Sequence, residues 1–534
     1  MAYMPYGAGG IIIRVEADIR RGIPGVDITG LAEGAVREAR DRVRAAFRNS
    51  GFSFPMDRIL INLAPAGLKK DGAALDLPIA LSVMSAAGIA PVTGNLLVMG
   101  ELELSGKIRP VRGVLSAIAA GLSEGINEFI VPAENAGEAA ILAQRGARFN
   151  AAENLQEAVD ALFIRERTGS LPELFDAPSP AATNTDGAFG IFAEGDFSEV
   201  RGQTVYKRAL EIAAAGGHNV LVFGPPGAGK TMLARRMTSI MAPLTPDEAV
   251  EVTRLYSLAG PLVNNSDRYS QRYIDRLITN APFRAPHHSA SAEGILGGGR
   301  NPRPGEISLA HFGVLFLDEA PEFKINVLQA LREPLEDRVI SISRAEGPVR
   351  LPAQFQMLMT ANSCPCGRLG IRETDHACFC SPEEINRYWR KFSGALLDRV
   401  EIRVAVLPPK IEEMGGTGKN TKIEEKSAVV AQRVMAAVEI QRLRFKGTEI
   451  RRNAMLTAGK TADFCPMSEK AESALHTAIS KMGLSGRAFH GILRVARTIA
   501  DLEGREIIET EHILEAVYHR RLGEDPWEIL SVLS

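Results

Sequence analysis

Hydrophobic and polar positions recur along this chain with two different periods, and the switch between them marks its elements. Ile11–Val15 is a strand-like apolar run, and Arg58–Leu63 alternates at every second residue. Glu33–Asn49 sets arginines on one side against Ala, Val and Phe on the other, the pattern of an amphipathic helix, and Leu77–Ala87 repeats at helical spacing. Leu96–Gly106 predicts a strand pair around Ser105-Gly106, followed by a helix over Gly113–Glu124 and a strand over Glu128–Val131. Further on, Asn219–Phe223 and Gly313–Ala320 are built on short unbroken apolar runs, which suit parallel strands buried on both faces. Ile325–Arg338 predicts one helix with Leu328, Leu331 and Leu335 in the core. Val339–Gln354 alternates on both sides of Glu346-Gly347, as a β-hairpin does.

Between these patterned stretches lie two breaks. Residues 167–192 are rich in Pro, Ser, Ala and Thr without periodicity and read as a linker, and 411–425 is a second polar break. They divide the chain into an N-terminal α/β domain over 1–166, a central nucleotide-binding domain over 193–410 and a helical domain over 426–534. With 534 residues the chain is too long for one ordinary core, which agrees with several domains. Hydrophobic residues make up 45% and charged residues 24%, a globular composition. No stretch resembles a membrane span or a signal peptide, so the expected location is cytoplasmic, with reduced or metal-bound cysteines. The net charge of −2 excludes a protein basic over its whole surface, so any DNA binding must come from a local basic surface.

The chemistry begins where the strand Asn219–Phe223 runs into Gly224-Pro225-Pro226-Gly227-Ala228-Gly229-Lys230-Thr231 and then into the helical MLARRMTSIM. Strand, Gly-rich loop and helix in this order form the phosphate-binding loop: glycines turn backbone N–H groups toward the phosphates, and the helix N-terminus favours their charge. Lys230 would reach the β- and γ-phosphates, and Thr231 would ligate Mg²⁺. The second buried strand ends in Asp318, suited to the Mg²⁺ hydration shell, and Glu319, suited to orient and deprotonate the attacking water. This predicts an ATP-hydrolysing enzyme.

Two long segments carry a family resemblance: Val200–Thr231 (VRGQTVYKRALEIAAAGGHNVLVFGPPGAGKT) and Pro282–Phe323 (PFRAPHHSASAEGILGGGRNPRPGEISLAHFGVLFLDEAPEF). Both closely resemble the ComM/YifB branch of the magnesium-chelatase-like AAA+ ATPases, and the likeness extends over almost the whole chain. The resemblance implies an α/β architecture with a Lon-protease-like N-terminal domain, an AAA+ core with a parallel sheet, and a C-terminal helical lid. It implies Asn362 in MLMTAN as the sensor-1 residue. It also implies Arg399 as an arginine finger reaching the neighbouring subunit, and Arg487 as sensor 2, with Arg494 as the alternative. Helicase-like relatives carry pore hairpins. Val339–Gln354 fits one, with Arg344 near its tip, and the stretch holding Arg284, His287, His288, Arg300 and Arg303 would form another pore-facing insert. An ordinary solvated loop is the competing reading of that stretch.

Four of the five cysteines form two close pairs, Cys364/Cys366 and Cys378/Cys380, spaced to surround one structural Zn²⁺; His376 could replace one sulfur. In the N-terminal domain, Gly100–Asn135 resembles the Lon-type domain shared with the RadA branch-migration protein. Active Lon proteases need a Ser nucleophile and a Lys, and those positions here look like Ala74 and Leu115. The resemblance as a whole implies a homohexameric ring that uses ATP and Mg²⁺ to drive branch migration on single-stranded and branched DNA during recombination and natural transformation, with no membrane partner. A chelatase-like ATPase remodelling a partner protein is the alternative.

Overall fold

The computed structural model describes residues 1–32, 34–70, 72–91, 94–172, 195–260, 262–263, 271–272, 276–299, 302–344, 348–369, 378–407 and 424–520. Most of the expected linkers 167–192 and 411–425, the turn Glu346-Gly347, Arg300 and His376 lie outside the described residues.

The first apolar run extends into a long strand, Gly9–Arg20, inside a four-stranded sheet. Ala2–Tyr6 and Arg58–Ala64 flank it antiparallel, and Gly25–Thr29 joins Arg58–Ala64 in parallel. Helices Gly34–Asn49 and Asp76–Ala86 bury Val43, Phe47, Ile79 and Met84 in the same core as Ile59, Ile61 and Leu63 of the sheet. The strand pair around Ser105-Gly106 is shorter than the pattern predicts. Glu101–Leu102 and Ile108–Arg109 form it. Leu96–Val98, buried throughout, instead starts a three-stranded parallel sheet with Glu128–Pro132 and Arg148–Ala152. The chain passes between the two across Gly100, where a Cβ would lie 2.7 Å from Ile108.

In the centre a five-stranded parallel sheet runs in the order Phe283–Arg284, Val314–Leu317, Gln356–Ala361, Val220–Phe223, Ile402–Ala405. Its three inner strands are buried at every residue, which is why Val220–Phe223 and Val314–Leu317 read as unbroken apolar runs. All five point the same way. The sheet therefore has a carboxyl edge, where each strand ends, and an amino edge opposite.

The expected helix Ile325–Arg338 is two short helices, Ile325–Ala330 and Arg332–Asp337. Pro334 explains the break, because it has no N–H to offer the carbonyl of Ala330. Leu328 and Leu331 are nevertheless buried, while Leu335 is half-buried against the same core. Val339–Ile342 pairs antiparallel with Val349–Pro352, as the alternation predicted. Five helices complete the described chain: Ser427–Arg444, Ala458–Phe464, Glu469–Met482, Gly486–Leu502 and Thr510–Arg520. Ile492, Val495, Ala496 and Ile499 line one face of Gly486–Leu502 and share a core with Tyr206 and Leu210 of the helix Thr204–Gly216. The fold is α/β, with a parallel-sheet core and a helical C-terminal region. No helix among the described residues is long and apolar enough to cross a membrane.

Candidate active site

The carboxyl edge of the central sheet gathers the groups the sequence pointed to. After Phe223 the chain enters the loop at Gly224, where a Cβ would stand 2.0 Å from the carbonyl oxygen of Val406. Only glycine fits so close a backbone approach. Gly227 and Gly229 both have positive φ, 78° and 80°, which lets the loop coil back before Lys230 opens the next helix. The Lys230 ammonium donates to the carbonyls of Gly224 and Pro225, each at 2.8 Å, and to Asn362 Oδ1 at 3.3 Å. Burial lowers its pKa to about 8, against the pull of Asp318 and Glu319 in the other direction.

Thr231 Oγ1 donates to Asp318 at 3.0 Å, so the hydroxyl and the carboxylate suited to a Mg²⁺ shell already lie side by side. A third residue, not singled out in the sequence, organises this edge. Thr360 donates its hydroxyl to Asp318 at 2.5 Å and accepts the backbone N–H of Glu319 at 2.9 Å. Its signal was a polar residue interrupting the buried strand Gln356–Ala361. Glu319 adopts left-handed backbone, φ 50° and ψ 49°, and its side chain is exposed at the sheet edge. For a residue with a side chain that conformation costs roughly 1–2 kcal/mol, and such strain concentrates at functional sites. The N–H of Asn362 is held by the Tyr388 hydroxyl at 3.1 Å.

Arg399, expected as an arginine finger, and Arg487, expected as sensor 2, lie at the other edge. Arg399 offers its carbonyl to Asn219 Nδ2 at 2.8 Å. Asn219 precedes the strand that ends at the P-loop, so roughly 15 Å of strand separates the two edges. Arg399 and Arg487 converge on one carboxylate: Glu336 pairs with Arg399 and, at 3.1 Å, with Arg487. The Arg399 guanidinium holds the Glu336 carboxyl below its usual range. Arg494 is committed elsewhere, to Glu401 at 3.1 Å and the carbonyl of Leu456 at 3.0 Å. Nothing in the charged run around Glu336 marked it out in the sequence.

The four cysteines come together. Every sulfur lies within 4.8 Å of the others, with Cys364 to Cys366 at 3.3 Å and Cys364 to Cys378 at 3.6 Å, and no disulfide forms. Four thiolates at about 2.3 Å around a tetrahedral Zn²⁺ would stand about 3.8 Å apart, so the donor set fits the metal. The knuckle also leans on the phosphate loop: a Cβ on Gly367 would lie 3.0 Å from Pro226.

Of the residues expected to face DNA, Arg344 is exposed and donates to the carbonyl of Gly299. This joins the Val339–Pro352 hairpin to a second strand pair, Gly297–Gly298 with Arg303–Pro304, and Arg303 is exposed there. Arg284 departs from expectation. It forms a bidentate pair with Glu306 at 2.7 and 2.8 Å and is largely buried, so we assign it to the fold rather than to a nucleic-acid surface.

Comparison with known proteins agrees with this geometry. Family models match most of the chain: Magnesium chelatase, subunit ChlI, at residues 196–414; Subunit ChlI of Mg-chelatase at 15–135; and Magnesium chelatase, subunit ChlI C-terminal, at 424–520. The YifB protein of Salmonella typhimurium is 40% identical over 515 residues, covering 96% of this chain and 94% of that protein. The competence protein ComM of Haemophilus influenzae is 40% identical over 516 residues, covering 96% and 95%. The chain belongs to the ComM/YifB family. Membership in this magnesium-chelatase-type AAA+ family implies an ATPase that uses Mg²⁺.

The N-terminal part of this family member is also similar to Lon proteases. That of Salinispora arenicola is 28% identical over 136 residues, covering 24% of this chain and 18% of that protein. Ala74 and Leu115, expected from the sequence to stand at the Lon catalytic positions, pack in one apolar cluster with Val250 of the AAA+ helix Pro246–Ala259. Leu115 is fully buried, and its N–H donates to Glu138 at 2.8 Å. Glu138 also accepts the hydroxyl of Ser257 on that same AAA+ helix, while the Ser257 carbonyl accepts the N–H of Gly113 at 3.1 Å. Burial raises the Glu138 pKa to about 7.

Proposed function

We propose that the protein is a homohexameric, ATP-driven DNA motor that promotes branch migration during recombination and natural transformation. The observation that carries the motor chemistry is the convergence of Lys230, Thr231, Asp318 and Glu319 on one sheet edge, with Arg399 and Arg487 on the opposite edge. In a ring, the edge bearing the arginines meets the phosphate edge of the next subunit. ATP then sits between two chains: Lys230 and Thr231–Mg²⁺–Asp318 hold the phosphates, Glu319 positions water, Asn362 contacts the γ-phosphate, and Arg399 and Arg487 arrive from the neighbour. The N-terminal domain is a scaffold without proteolytic activity, since neither Ala74 nor Leu115 can form or activate an acyl-enzyme nucleophile.

The DNA reading is supported by the exposed Arg344 and Arg303 on adjoining strand pairs and by the designation of the Haemophilus relative as a competence protein. Its test is ATP hydrolysis with and without single-stranded and forked DNA, combined with Arg344→Ala. DNA should stimulate the intact protein. Arg344→Ala should weaken DNA binding equally for all sequences, lower the salt dependence by about one counterion per lost contact, and leave basal hydrolysis intact. If affinity, salt slope and stimulation are all unchanged, the hairpin does not touch DNA and remodelling of a partner protein becomes the better reading.

The cysteine knuckle would hold Zn²⁺ through Cys364, Cys366, Cys378 and Cys380, bracing the turn that touches Pro226. Protein purified without chelators should contain about one zinc per chain by elemental analysis, and Cys364→Ser with Cys378→Ser should remove it. Metal-free protein from such a preparation would exclude the site.

A further inference from the structure

The turn that carries Arg399 is held by two buried arginines that the phosphate chemistry does not use. Arg403, on the edge strand Ile402–Ala405, donates to the carbonyl of Leu397 at 2.9 Å. Arg520 ends the helix Thr510–Arg520 and reaches a carbonyl 120 residues back along the chain, that of Val400. The same guanidinium pairs with the Asp398 carboxylate at 3.4 Å. Both arginines are only 1% exposed. Between these anchors the carbonyl of Arg399 accepts from Asn219 Nδ2 at 2.8 Å. Glu401, at the far end of the turn, pairs with Arg494 of the helix Gly486–Leu502 at 3.1 Å.

Burying a guanidinium is unfavourable unless its N–H groups find acceptors, and an apolar side chain would fill the same space without that cost. Arg520 directs its N–H groups at the two residues that flank Arg399, one on each side. Because the fork is planar and rigid, it fixes the spacing between its two acceptors. Those acceptors are Asp398 Oδ1 and the Val400 carbonyl, so one guanidinium sets the course of the turn whose middle residue is Arg399.

We propose that Arg520, with Asp398 as its counter-ion, is a positioning residue for Arg399 and holds the turn that presents the finger to the neighbouring subunit. The finger's role rests on the ring reading above; the clamp itself rests on the bonds at Asp398 and Val400. Through this clamp the helical C-terminal region acts on hydrolysis in the adjoining subunit rather than in its own. Asp398 is the accessible half of the pair, with a side chain 36% exposed, so it can be changed without opening the core.

The test uses the full chain. Arg520→Ala should bind ATP as before and lose about 10- to 100-fold in kcat, the scale of a misplaced reacting group. Arg520→Lys, which keeps the charge but not the fork, should recover part of the loss. Asp398→Asn leaves the Val400 bond in place and should lose about two- to fivefold, the scale of a partly exposed ion pair. Unchanged kcat in Arg520→Ala and Asp398→Asn overturns the proposal.

Subunit mixing separates positioning of the finger from a general structural role. In mixed rings Lys230→Ala subunits present an intact finger, so Arg520→Ala regains hydrolysis beside them. Beside Arg399→Ala it regains none, because every working P-loop then faces a missing or misplaced finger. The reverse pattern, rescue by Arg399→Ala and none by Lys230→Ala, means that Arg520 serves its own P-loop and overturns the proposal. The control is Arg399→Ala mixed with Lys230→Ala: no rescue there in demonstrably mixed rings means that the ring reading fails. Amide exchange then decides the clamp, since it needs no ring and the amides of Asp398, Arg399 and Val400 are bonded within the turn. Exchange at these amides should quicken in Arg520→Ala and Asp398→Asn while the helix Gly486–Leu502 keeps its protection. Unchanged exchange in the turn, or protection lost throughout the chain in both variants, overturns the clamp. Should Arg520→Ala fail to fold, Asp398→Asn carries the exchange readout.

Discussion

Glu319→Gln is expected to bind ATP at near-normal affinity while turnover falls by about 10²- to 10⁴-fold, the range for loss of a general base. In the proposed site the phosphates would be gripped by Lys230, the loop amides and the Thr231–Asp318 pair rather than by the Glu319 side chain. Glutamine has the same shape and can keep the left-handed backbone and the N–H bond to Thr360, so the substitution removes a proton acceptor without disturbing the edge. Lys230→Ala should behave differently and lose nucleotide binding itself. The check is a fluorescent-nucleotide titration beside steady-state hydrolysis. Near-normal turnover in Glu319→Gln would show that another group activates the water.

The second large effect belongs to Arg399. Arg399→Ala should leave ATP binding nearly intact and lower turnover by about 10³-fold or more, as removal of an arginine finger does. The guanidinium stands at the amino edge of its own sheet, so in the proposed ring it would serve a phosphate held by a different copy of the chain. Mixing Arg399→Ala with Lys230→Ala subunits therefore restores some hydrolysis: a Lys230→Ala subunit presents its intact Arg399 to the working P-loop of an Arg399→Ala neighbour. Hydrolysis in rings of defined composition measures this. Absence of rescue in demonstrably mixed assemblies would place the finger outside the shared site.

Much of the phosphate edge was legible in the sequence because its parts are local: an apolar strand, glycines that must bend, and acids at the end of the next strand. The C-terminal region read as helical as a whole, and the structure adds the buried face of Ile492, Val495, Ala496 and Ile499. What escaped depends on distant segments meeting. Thr360 matters only because Asp318 and the Glu319 amide arrive beside it. Glu336 matters because residues 63 and 151 positions away bring their guanidinium groups to it. Arg284 was read as part of a pore-facing insert with His287, His288 and Arg303, and only the fold shows Glu306 pairing with it. The single helix expected over Ile325–Arg338 failed locally, where spacing outweighed the lone Pro334.

The joint between the N-terminal domain and the AAA+ helix Pro246–Ala259 limits which side chains positions 74 and 115 can hold. The positions read as the Lon pair lie in a seam: Leu115 is wholly enclosed, its amide tied to Glu138, and Glu138 is tied across the seam to Ser257. Lysine at position 115 would drive an ammonium into the apolar cluster that holds the two domains together, and serine at position 74 would add a hydroxyl to it. The substitutions that would recover a hydrolase are the ones that would loosen the seam.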